Sequence, residues 1–162
     1  MNKVVLGIVK GLVLPVVLGS LAEAVAEPDR SYPSGGERYV RRTIEIGDDS
    51  GGFVAEYALR LYEMRETKQR VEFVGRCDSA CTLFLALPVD QTCITEGAYF
   101  RFHAPSSPSA AAAAAVTAYM MNKYPKWVRA WVIAQGGLSD RQATMSFDYA
   151  NKFIRNCSLT RR

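Results

Sequence analysis

Three short segments of the chain carry residue types suited to acyl transfer. The first is Gly75-Arg76-Cys77-Asp78-Ser79-Ala80-Cys81. It puts a serine between a predicted strand and an apolar helical run. There the Ser79 hydroxyl would stand at a helix N-terminus, with the Ala80 amide free to donate and the helix dipole favouring negative charge. The same position also suits a simple N-cap. The second segment, Tyr99-Phe100-Arg101-Phe102-His103-Ala104-Pro105, holds the only histidine of the chain. Any serine base must therefore be His103. It closes an apolar strand, and strand ends of open α/β sheets are where sites collect; a histidine satisfied by a backbone carbonyl is the plainer reading. The third segment is Asp49-Ser50-Gly51-Gly52. Paired glycines let backbone amides approach a ligand closely, and such amides can stabilise an oxyanion. A tight turn would require the same glycines.

Hydrophobic periodicity supplies the elements that must position these groups. Tyr39 to Ile46 alternates apolar and polar residues and predicts a first strand, with 47–52 as the turn after it. Phe53, Tyr57, Leu61 and Met64, joined by Val54, Ala58 and Tyr62, predict the apolar face of a helix. Val71 to Val74 predicts a second strand and 75–78 a turn. Ser79 to Leu87 predicts a buried helix, stopped by Pro88. Extended segments follow at Thr92–Ile94 and Ala98–His103. The alanine run Ala110–Ala115 opens a helix that continues to Tyr124. Trp127, Trp131 and Ile133 lie on another, ended by Gly136-Gly137. A last strand and short helix occupy about 143–154. Strands alternating with helices predict an α/β fold built on parallel strands.

The order of these motifs resembles the ClpP/crotonase-like fold and, within it, the proteolytic subunit of Clp protease, over about residues 39–105. Asp49-Ser50-Gly51-Gly52 matches that family's oxyanion turn. Gly75 to Ala80 matches its Gly-x-x-x-Ser nucleophile motif, and Phe100 to Pro105 its base-bearing strand. The pattern Gly-x-Cys-x-Ser-Ala-Cys-Thr followed by Phe-His-Ala looks like small exported proteobacterial proteins described as ClpP-like and periplasmic. The resemblance implies a single α/β domain with a mostly parallel sheet and flanking helices, truncated relative to Clp protease. It implies a serine hydrolase, peptidase or esterase, working on a peptide or small acyl substrate without a cofactor. Ser79 would be nucleophile and His103 base, with Gly51 or Gly52 and Ala80 forming the oxyanion hole. The third triad position falls on Gln142; Asp140 is the nearest carboxylate and Asp148 the next choice. The segment that builds the Clp ring is shortened here to 106–116 and one helix, so a Clp-type double ring is not expected, while smaller oligomers remain open. Two other functions fit the same pattern: a non-catalytic binding or scaffold module, and a crotonase-like acyl-CoA enzyme. An exported protein meets little coenzyme A, which argues against the latter.

Export is predicted by the first 26 residues. Lys3 begins them, an apolar stretch from Val4 to Val17 follows, and Ala24 and Ala26 occupy the small-residue positions before a cleavage site. The uninterrupted apolar run is short for a membrane span, so no stable span is expected after cleavage. Residues 27–38 read as a polar leader, 39–157 as the domain and 158–162 as a tail. The whole chain of 162 residues carries a net charge of +4. Loss of Lys3, Lys10 and Glu23 leaves +3 on the processed protein, with no run of like charges, which argues against nucleic acid. Cys77, Cys81, Cys93 and Cys157 form an even set, which in a periplasmic or secreted chain predicts two disulfides in one of three connectivities. One of these, Cys93–Cys157 with Cys77–Cys81, would tie the C-terminal segment to the sheet and stiffen the backbone around Ser79. With one histidine and no Cys-x-x-Cys pair, no metal site is predicted.

Overall fold

The computed structural model describes residues 43–159. The predicted signal segment, the leader and the end of the predicted tail lie outside them, as do residues 39–42 of the first predicted strand. The described chain is an α/β fold: a mixed, mostly parallel open sheet with flanking helices. Its strands are β1 (Ile44–Asp49), β2 (Val71–Asp78), β3 (Thr92–Ile94), β4 (Tyr99–Phe102) and β5 (Ala143–Met145). The helices are α1 (Val54–Glu66), α2 (Ala110–Lys123), α3 (Lys126–Ala134) and α4 (Phe147–Ala150).

β2 is the axis of the sheet. β1 runs parallel along one edge. The other edge is shared in tandem by β3, beside Val71–Phe73, and β4, beside Arg76–Asp78, both parallel. β5 closes the order antiparallel to β4. Strands of a parallel sheet are covered on both faces and read as apolar runs, and Val71, Phe73, Ile94, Phe100 and Met145 are all buried. Phe73 meets Phe100 edge-on at 4.9 Å, and Phe102 packs on Tyr124 and Trp131.

Two strands run further than their sequence pattern predicts, and both extensions bear on the site. β1 continues through Gly47 to Asp49, and β2 through Gly75 to Asp78, where turns were expected. Gly47 and Gly75 do not break the strands because they face each other across a bulge in the β1–β2 ladder. A Cβ on Gly75 would lie 2.0 Å from the Gly47 carbonyl oxygen, so only glycine allows this approach. Beyond the bulge, pairing with β1 and β4 keeps Arg76–Asp78 extended.

The predicted buried helix is a 3-10 helix over Ser79–Ala86. Ala80 to Leu87 are buried without interruption, so packing on all sides, not an amphipathic stripe, sets its course. Helix α1 lies against it: Tyr57 packs on Phe84 at 5.4 Å, and Arg65 donates to the Ala86 carbonyl at 2.7 Å. Tyr57, Leu61 and Met64 form the buried face of α1 as predicted. Phe53 and Tyr62 do not join it and are 71% and 64% exposed. The alanine helix begins at Ala110, where the Ser109 hydroxyl caps the Ala112 amide.

Both disulfides are formed, Cys77–Cys81 and Cys93–Cys157. The second joins β3 to the segment around Asn156, which also bridges to Ile94 and whose Arg155 carbonyl accepts from the Ile94 amide at 3.0 Å. Removing this bond by Cys93→Ala with Cys157→Ala is expected to lower stability by about 2–5 kcal/mol, read from urea unfolding with midpoint and slope both fitted, the slope rising as the unfolded chain expands.

Candidate active site

The parallel pairing of β1 and β2 brings their C-terminal ends to one edge of the sheet. β1 leads into Ser50-Gly51-Gly52, and β2 leads directly into Ser79. Gly51 has φ +78, and Ser79 has φ +53. Left-handed backbone at a serine costs about 1–3 kcal/mol and persists only where the surroundings enforce it. Here the two turns are pressed together. A Cβ on Gly51 would lie 2.5 Å from the Asp78 carbonyl oxygen, 2.7 Å from the Ser79 Cβ and 2.9 Å from the Ala80 nitrogen. The turn at Gly51 therefore lies against the serine and the amide that follows it.

Asp49 organises the glycine turn. Its Oδ1 accepts from the Gly51 amide at 2.8 Å and from the Tyr57 hydroxyl at 2.5 Å. The Gly51 amide is thus occupied. Among the described residues the Gly52 amide has no hydrogen-bond partner, and Ala80 follows Ser79 at the head of the 3-10 helix. Burial, with the Asp49 carboxylate as acceptor, pushes the Tyr57 phenol up to about 12.

The serine turn is held from behind. The Thr82 hydroxyl donates to the Ser79 carbonyl at 2.5 Å, and its oxygen lies 2.7 Å from the Tyr124 hydroxyl. Because the single Thr82 proton goes to the carbonyl, Tyr124 is the donor to Thr82. Tyr124 is 2% exposed, and its burial raises the phenol far above its ordinary range. The Cys77–Cys81 bond clamps the same turn from both sides. Asp78, buried just before Ser79, sits directly opposite Arg101 in the β2–β4 ladder. Its Oδ1 accepts from Arg101 Nε at 2.8 Å, and Oδ2 accepts from Arg101 Nη2. Arg76 adds a longer contact to Asp78 at 3.4 Å and a bridge to Asp48. The hydrogen bond to Asp78 raises the Arg101 guanidinium further. The buried carboxylate beside the serine is thus neutralised.

His103 follows β4 and faces the same cleft. A cavity of about 350 Å³ is lined by Gly51, Gly52, Ser79, His103, Pro105 and Val116, among others. Three of the predicted site segments thus share one opening. Ser79 and His103 are not hydrogen-bonded to each other. His103 Nδ1 lies 2.8 Å from the Ala104 carbonyl. A carbonyl only accepts, so Nδ1 is the donor in this contact, and in the neutral ring the free lone pair is then on Nε2. The Ala104 peptide is itself held by its amide, which donates to the Ser139 carbonyl at 2.8 Å. Asp140 is exposed and does not hydrogen-bond His103; Asp148 and Gln142 are exposed too. Extending the β4–β5 register by one residue sets Gln142 opposite His103.

Glu72, Cys93 and Cys157 bring ligand atoms within 4.8 Å of one another, but the two sulfurs are joined and supply no thiolate. No helix among the described residues is long and apolar enough to cross a membrane. No protein-family model matches the chain, and no curated protein matches it.

Thr82 closes the Gly-x-Cys-x-Ser-Ala-Cys-Thr pattern but Tyr124 belongs to no motif, and the contact between them is tertiary. Thr82→Val leaves the Ser79 carbonyl without this donor and strips Tyr124 of its acceptor, and is expected to cost about 1–3 kcal/mol. Tyr124→Phe keeps the Thr82 bond to Ser79 and should cost about 0.5–1.5 kcal/mol; urea unfolding of the two variants checks the order. The raised Tyr57 phenol favours the folded state at pH below about 10, the unfolded value. That contribution is lost as pH rises from there through about 12. Absorbance titration of the tyrosines should find two late components, Tyr57 and, later still, Tyr124; Asp49→Asn should move the earlier one down without reaching the ordinary value, because burial is the larger cause.

Proposed function

We propose that this chain is an exported ClpP-like serine hydrolase acting on a peptide or small acyl substrate outside the cytoplasm. The observation that carries the reading is the left-handed Ser79, pressed against Gly51 at the head of a buried helix and sharing a cleft with the only histidine. A strained serine at a strand-to-helix turn exposes its hydroxyl beside the following amide. Two disulfides accord with an oxidising compartment.

In the reaction, the carbonyl carbon of the substrate is placed over Ser79. His103 Nε2 takes the hydroxyl proton as Oγ attacks, and returns it to the departing alkoxide or amine. The amides of Gly52 and Ala80 hold the oxyanion. A water then attacks the acyl-serine by the reverse proton route, releasing the acid. The carbonyl of Ala104 orients the imidazole where a triad would use a carboxylate. A carbonyl fixes the tautomer but stabilises the imidazolium less than an aspartate does, so a modest rate is expected.

A non-catalytic binding module is the second reading. It is favoured by the missing Ser79–His103 hydrogen bond and by the absence of a carboxylate partner at His103 among the described residues. A fluorophosphonate probe separates the two. Wild type should label at one site, Ser79→Ala should not, and His103→Ala should label about 10²–10⁴-fold more slowly. Asp140→Asn should label at the wild-type rate. An unlabelled wild type would leave the binding module as the better account.

A further inference from the structure

The Ser79 cleft adjoins a second depression and shares lining residues with it. Phe53, Val54 and Val116 line both. The second is a groove of about 600 Å³ between α1 and α2. Its remaining surface comes from Ala58, Leu59, Ala115 and Tyr119, with Ala55, and carries no charged side chain. Leu59 and Phe53 are 65% and 71% exposed. Large apolar side chains left open beside a reactive cleft mark a place where apolar ligand surface is taken out of water.

We infer that this groove receives the aliphatic chain of an acyl substrate whose carbonyl lies at Ser79. This rests on the hydrolase reading for the chemistry, and on the groove alone for the binding. The wall chemistry selects the occupant. Both walls are helices, whose backbone amides and carbonyls are already paired within the helix. An extended peptide laid there would bury its own amides without partners, whereas peptide sites on sheet edges supply them. A hydrocarbon chain has no polar groups to satisfy. The methyls of Ala58 and Ala115 fill little of the space between the helices and leave room for an unbranched chain.

Each methylene taken from water should contribute about two- to four-fold in affinity. Calorimetric titration of Ser79→Ala protein with butyrate and dodecanoate tests this without any turnover. Dodecanoate should bind at least about 100-fold more tightly than butyrate. Ala115→Trp and Ala58→Trp, both on helix surfaces, should remove that preference while the circular dichroism spectrum and melting profile stay native. In wild type, the same preference should appear as a rise in kcat/KM along a p-nitrophenyl ester series from acetyl to dodecanoyl. Length-dependent binding without ester turnover or probe labelling leaves the groove standing and removes only the hydrolase reading. Equal binding of the two acids overturns the inference. So does a length preference that both tryptophan variants retain, or loss of a dimer in those variants with no dodecanoate binding, which would make the groove a contact between copies of the chain.

Discussion

No side chain fits between Gly51 and Ser79, and the rest of the site follows from that contact. For the two turns to touch, β1 and β2 must end at the same level, which parallel pairing achieves. The bulge at Gly47 and Gly75 adjusts the level, setting Asp49 opposite Cys77. Asp49 then reaches forward to hold the Gly51 amide and sideways to the Tyr57 hydroxyl. The close approach of Gly47 and Gly75 in the β1–β2 ladder thus governs where Gly51 meets the serine. The chain of dependence runs from backbone register to side-chain chemistry without a loop long enough to blur it.

The strain at Ser79 is matched by what surrounds it. About 1–3 kcal/mol is stored in a left-handed serine. A disulfide closing a loop as short as Cys77–Cys81 contributes about 2 kcal/mol in the chain-entropy account. The Thr82 bond to the Ser79 carbonyl and the Asp78–Arg101 pair add directional restraint on either side. None of these contacts touches the cleft. They act through the backbone, which is how a small domain can hold a reactive geometry while leaving its hydroxyl unencumbered.

Much of this was legible from residue order alone. The α/β class and the helices beginning near 53, 110 and 127 came from local pattern, while the grouping of Ser79, His103 and the glycine pair came from the resemblance in motif order. One of the three possible cysteine pairings made structural sense of the site, and it is the pairing observed. What could not be read depended on partners distant in sequence. Gly47 and Gly75 look like turn residues until each is seen to face the other. Phe53 and Tyr62 fit an apolar stripe by spacing, yet the 3-10 helix covers only the Tyr57 side of α1. The resemblance puts the third triad position on Gln142, with Asp140 and Asp148 as carboxylate choices, while His103 Nδ1 faces the neighbouring Ala104 carbonyl, the plainer reading of a lone histidine. Thr82 and Tyr124 meet across 42 positions of sequence.

The two disulfides differ in kind when viewed along the time axis of folding. One spans 4 residues and the other 64. Closing the longer loop costs about 2.5 kcal/mol more chain entropy, and its two ends meet only after the sheet has delivered residue 157 to β3. The short bond needs nothing but its own turn. The two ends of the serine turn can therefore be tied together while most of the chain is still unfolded, and the late bond then seals the sheet once β1 has set the turn's shape.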